Sequence, residues 1–155
     1  MSIQVSDQAL LRTQAYINGQ WVDADSGEKL AVTNPANGEV IAQVAKCSTA
    51  ETRRAIEAAD NALPAWRQKT AKERAGHLRK WFNLMMEAQE DLAIILTTEQ
   101  GKPLAEARGE LAYGARYIEW FAEEGQRVYG DTMPAPSNDK RVVCIIQPVG
   151  VVACI

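Results

Sequence analysis

The run VGVVACI at positions 149–155 puts no charged or amide side chain on either face of a strand. A continuously apolar strand belongs to the middle of a parallel sheet, with helices covering both faces. Parallel neighbours need crossovers of a dozen or more residues, and none follows Ile155. The chain therefore reads as part of an α/β fold. It is expected to be the N-terminal portion of a larger protein rather than a self-contained 155-residue domain.

What precedes that strand is mostly helical. Ser48 with Glu51 and Thr70 with Glu73 have the spacing of capping boxes, so helices are expected to open at both. The first would bury Ala55, Ala59, Ala62, Leu63 and Trp66, with Pro64 kinking or stopping it. The second would bury Leu78, Trp81, Phe82 and Met85. A third, over 89–100, would bury Leu92, Ile95 and Leu96 and stop at Gly101, where a left-handed residue suits a helix end. Pro103 suits a first helical position, and the pattern then runs unbroken from 103 to about 128, a rod of roughly 39 Å.

That last helix is apolar on two sides. One stripe is Leu111, Ala115, Ile118, Ala122 and Gly125, at the three- and four-residue spacing of a core face. The other carries Gly109, Tyr113, Arg116, Tyr117 and Trp120. Either the second stripe fills a second core or it lines something. Arg116 reads from its own helix as a partner for Glu119 or Glu123, or as a cation that reaches out to solvent.

The first half of the chain supplies the β-structure. Asn18-Gly19 between short apolar runs signals a hairpin over 14–22, because both turn positions favour positive φ. Strands are expected at 30–33 and 40–44, joined by the turn formers 34–38. Residues 1–13 read as an arm that is ordered only if it docks. After Gly130, residues 131–140 read as an extended crossing loop and 141–147 as a strand.

Net charge is −3, with basic residues interspersed among acidic ones. That argues against nucleic acid or an anionic membrane as the main partner. The start MSIQVSD lacks the pattern of a secretory leader, so the cytoplasm is the expected setting. Cys47, Cys144 and Cys154 form no CxxC, and the last two lie in apolar runs where a thiol is a small buried hydrophobe. The lone histidine, His77, sits among charged neighbours and indicates neither a zinc site nor a Cys–His pair.

Taken in order, several segments resemble the aldehyde dehydrogenase superfamily: YINGQWV at 16–22, TNPANGEVIAQV at 33–44, ALPAWR at 62–67, TAKERA at 70–75, TTEQGKPLAEARGE at 97–110, IEWFAEEGQRVYGDTMP at 118–134 and QPVGVVACI at 147–155. Within it, EQGKPLAEARGE followed by YIEWFAEE is most similar to bacterial succinate-semialdehyde dehydrogenases and their relatives acting on glutarate semialdehyde.

The resemblance implies an aldehyde dehydrogenase-like α/β fold with NAD or NADP as coenzyme and a homodimer or homotetramer. Residues 14–130 would be the hairpins and helical layer flanking the coenzyme domain. Residues 131–147 would cross over and add a strand to an oligomerisation arm, and 148–155 would be the first strand of the Rossmann-like sheet. The implied chemistry is covalent. A cysteine thiolate attacks the aldehyde, hydride passes to nicotinamide, and a glutamate activates the water that releases the acid. By resemblance both residues lie later in such chains. Cys47, Cys144 and Cys154 do not match the nucleophile's surroundings, and Glu99, Glu106 and Glu110 are not the base. The isolated 155-residue chain is therefore expected to be inactive. What the resemblance assigns here is a substrate-tunnel wall of Gly109, Tyr113, Arg116 and Tyr117. It also assigns a coenzyme edge at the Ile155 backbone, and a structural cation between the Thr33 carbonyl and the Glu99 carboxylate. The alternatives are a non-catalytic oligomerisation or interaction module built on the same layer, and an aldehyde dehydrogenase for another aldehyde.

Overall fold

The computed structural model describes residues 3–155. Two antiparallel ribbons come first. β1 (Ala15–Ile17) and β2 (Gln20–Val22) pair across Asn18 and Gly19, which take φ of 49° and 78°. Those are the positive values such a two-residue turn requires. Tyr16 and Trp21 face each other across the ribbon at 5.1 Å, and Arg12 lies over the Trp21 ring. β3 (Lys29–Thr33) and β4 (Val40–Ala45) form the second ribbon, with a bulge at Val32/Thr33. The two ribbons are separate sheets.

Both capping boxes form. Ser48 opens α1 (Thr49–Gln68) and Thr70 opens α2 (Ala71–Glu87). Glu51 does more than cap: it is 2% exposed and also accepts from the Asp25 backbone N–H at 2.6 Å, tying α1 to the β2–β3 turn. Pro64 does not stop α1, which continues to Gln68. The expected buried side of α1 is only partly covered. Ala55 and Leu63 are half-buried, whereas Ala59, Ala62 and Trp66 are exposed, because the main described element against α1 is the β1 edge.

α3 (Gln89–Gln100) ends at Gly101, whose φ is 81°. α4 (Leu104–Glu124) follows with Pro103 as its N-cap, and it ends at Gly125 rather than near Val128. α2 and α3 both pack on α4. The contacts are made by alanines: Ala93, Ala107 and Ala115 are fully buried, and Ala75 and Ala122 nearly so. Such small side chains let helix axes approach closely, leaving Leu111 and Ile118 half-buried at the margins. Trp81, expected on the inner face of α2, is instead exposed.

The arm docks. Asp91, in the first turn of α3, accepts from the backbone N–H groups of Ser6 and Asp7, each at 2.8 Å. Those bonds hold its carboxyl below the ordinary aspartate value. Ile3 is buried, and the Thr13 carbonyl accepts from Ala45 N–H. The first two residues of the expected arm lie outside the described residues.

Beyond α4 the structure differs from expectation twice. Residues 131–133 are not loop: β5 (Asp131–Met133) pairs antiparallel with β6 (Val142–Cys144), so the expected strand there is shorter than 141–147. Residues 149–155 form no β-strand and find no partner among the described residues. Strand pairing needs a neighbour's N–H and C=O groups, and here none is offered. Cys144 and Cys154, expected to be buried, are exposed, as is Cys47. No helix among the described residues is long and apolar enough to cross a membrane.

These features leave much apolar surface uncovered. The accessible surface is 11610 Å² for 17.0 kDa, against about 7,700 Å² for a compact monomer of that mass.

Candidate functional site

α4 presents its second stripe outward. Tyr113, Tyr117, Trp120 and Phe121 are each half or more exposed, so the aromatic side is not a second core within this chain. Together with Arg116, these residues line an open groove of about 360 Å³. Tyr113 and Tyr117, one turn apart, meet edge to face at 5.1 Å and 89°. Their hydroxyls are hydrogen-bonded at 2.6 Å, with either able to donate. That bond, then the electrostatics of Tyr113 and partial desolvation, pushes the Tyr117 hydroxyl above the ordinary tyrosine value.

The charges around the groove are already apportioned. Arg79 on α2 donates to Glu119 at 2.5 Å and to Glu123 at 2.8 Å. These are the two carboxylates the sequence offered to Arg116. Across the α3–α4 contact, Arg108 forks onto both oxygens of Glu90, and Lys102 pairs with Glu110. Among the described residues, Arg116 has no ion-pair partner.

Of the residues expected in a substrate passage, Tyr113, Arg116 and Tyr117 share the groove and Gly109 does not line it. Gly109 lies one turn earlier on α4, and a Cβ built there, or at Gly114, meets nothing within 4 Å. Among the described residues, no second helix approaches either glycine. Phe121 was missed, although its spacing from Tyr113 and Tyr117 continues the same four-residue step. Ile155 is fully exposed at the end of the chain and is not among the groove's residues. The segments carrying Thr33 and Glu99 meet where Pro35 touches Gly101. No group of three or more His, Cys, Asp or Glu side chains among the described residues gathers as a metal site. None of the three cysteines lines the groove. His77 is exposed with its ring 5.6 Å from that of Trp66.

Residues 21–155 match the aldehyde dehydrogenase family. The chain belongs to that family. This aldehyde dehydrogenase chain is 65% identical over 153 residues to a glutarate-semialdehyde dehydrogenase of Pseudomonas putida, a match covering 99% of this chain and 32% of the relative. It is 60% identical over the same length to an NADP(+) succinate-semialdehyde dehydrogenase of Escherichia coli K12, again 32% of that protein. The crystal structure of a succinate-semialdehyde dehydrogenase from Burkholderia pseudomallei superposes with a TM-score of 0.87 at 60% identity, covering 89% of this chain and 29% of that one. The chain thus spans about a third of the length of the curated relatives it matches, and its α/β arrangement is that of an N-terminal aldehyde dehydrogenase portion.

Proposed function

We propose that this chain is the N-terminal portion of an NAD- or NADP-dependent semialdehyde dehydrogenase. It would act on succinate or glutarate semialdehyde in a cytoplasmic homodimer or homotetramer. The observation that carries this reading is the 65% identity, over 99% of the chain, to a protein named glutarate-semialdehyde dehydrogenase. The uncovered surface is its physical counterpart, since an exposure this large suits a layer against which further chain packs.

In this reading residues 14–130 form the helical layer, with Gly109, Tyr113, Arg116 and Tyr117 walling the passage for the aldehyde. The β5–β6 ribbon lies in the 131–147 segment and contributes to the oligomerisation arm. Residues 148–155 become the first strand of the coenzyme sheet once neighbours are present, and Ile155 meets the coenzyme through its backbone. When bound, the coenzyme supplies the hydride acceptor. The residues of this chain contribute shape and exclusion of water: the aromatic wall, with Tyr113 and Tyr117 hydrogen-bonded to each other, offers an apolar route. Thr33 and Glu99 are proposed to hold a structural cation between them, with other oxygens completing its shell. The bond-making cysteine and glutamate are assigned to chain beyond Ile155.

The test is oxidation of succinate and glutarate semialdehyde by the full-length enzyme carrying this chain, followed by formation of NADH and NADPH in separate assays. Formation of either with these substrates supports the reading, and formation of neither overturns it.

A further inference from the structure

We infer that Arg116 selects for the substrate by its tail, holding the carboxylate at the end remote from the aldehyde. This rests on the semialdehyde dehydrogenase reading above. Three observations on α4 point to it. Arg116 is the one cation among the five residues of a groove otherwise made of Tyr113, Tyr117, Trp120 and Phe121. The nearest acids that could neutralise it from its own helix, Glu119 and Glu123, are both held by Arg79 from α2. The Tyr113–Tyr117 hydroxyl bond uses one of the two neighbouring O–H groups and leaves Arg116 as the only charged group lining the groove.

A guanidinium with no ion-pair partner among the described residues, beside an apolar wall, has a definite chemical preference. Its planar fork matches the two oxygens of a carboxylate, and the adjoining aromatic faces suit the methylene spacer of a short semialdehyde. An uncharged aldehyde of equal length would fill the same wall and leave the guanidinium to water. Arg116 therefore acts on discrimination between substrates and takes no part in the bond-making step.

The experiment compares kcat/KM for succinate semialdehyde and for butanal, its uncharged four-carbon counterpart, in the full-length enzyme and its Arg116→Ala variant. The ratio of the two is expected to fall at least about tenfold, the loss that accompanies removal of one charge-assisted contact. Arg116→Lys keeps the charge and should retain part of the preference. Arg116 is exposed and has no ion-pair partner among the described residues, so both variants are expected to fold, which a circular dichroism melt checks. An unchanged ratio in Arg116→Ala overturns the assignment while leaving the dehydrogenase reading intact. A wild-type enzyme that oxidises neither aldehyde overturns both.

Discussion

Arg79 and Glu119 join α2 to α4 through a 2.5 Å hydrogen-bonded ion pair, and a second guanidinium nitrogen of Arg79 reaches Glu123 one turn on. The pair sits beside a helix contact made of alanines, where little side-chain interlocking fixes the register. It also leaves Arg116 without an intrahelical partner. Replacing Arg79 by Ala should lower the melting temperature, and the difference should shrink as salt is raised, because these half-exposed charges are screened. Thermal melts at low and high ionic strength check this. A difference independent of salt would mean that stacking of the Arg79 guanidinium over the Phe82 ring carries the effect instead.

Glu51 sets a pH dependence. The Ser48 hydroxyl bond, followed by backbone N–H bonds from Asp25 and Ser48, lowers its carboxyl from the ordinary 4.5 to about 2. A carboxyl depressed on folding stabilises the folded state fully above its unfolded value, and that contribution is lost as pH falls through its folded value. Glu51→Gln should therefore be less stable than the parent at neutral pH. The gap should close between about pH 4.5 and 2. Denaturation curves across that range measure it.

Two glycines with opposite surroundings give a paired prediction. At Gly101 the φ of 81° is left-handed, and a Cβ would sit 2.8 Å from Pro35 Cγ. Gly101→Ala should cost at least about 1–2 kcal/mol from backbone strain alone. At Gly109, inside α4, a Cβ meets nothing, so Gly109→Ala should stabilise the helix by about 1 kcal/mol. If aldehyde passes beside Gly109, the same variant should lower kcat/KM in the full-length enzyme while raising its stability. Denaturant titration and steady-state kinetics on one preparation separate the two effects.

The features legible in the sequence are those fixed within a few residues. The Asn18-Gly19 turn, the Ser48/Glu51 and Thr70/Glu73 boxes and the Gly101 stop are all local hydrogen-bond or φ requirements, and all are present. What the sequence hid depends on partners remote in the chain. Asp131–Met133 has no apolar alternation and precedes two prolines; only pairing with Val142–Cys144 makes it a strand. Residues 149–155 have the opposite problem: a strand pattern with no neighbour to pair with. Pro64 shows that one lost hydrogen bond need not end a helix whose N-terminus is secured by Glu51. On α4 the spacing showed two apolar stripes but could not assign the outer one. Its exposure, and the capture of Glu119 and Glu123 by Arg79, are tertiary facts.

The most direct test is oxidation of succinate semialdehyde, with NAD or NADP, by the full-length enzyme and by the purified 155-residue chain side by side. The account predicts reduced coenzyme from the full-length enzyme and none from the isolated chain, to which it assigns a passage wall and no nucleophile. Turnover by the 155-residue chain alone, or none by the full-length enzyme, would contradict it.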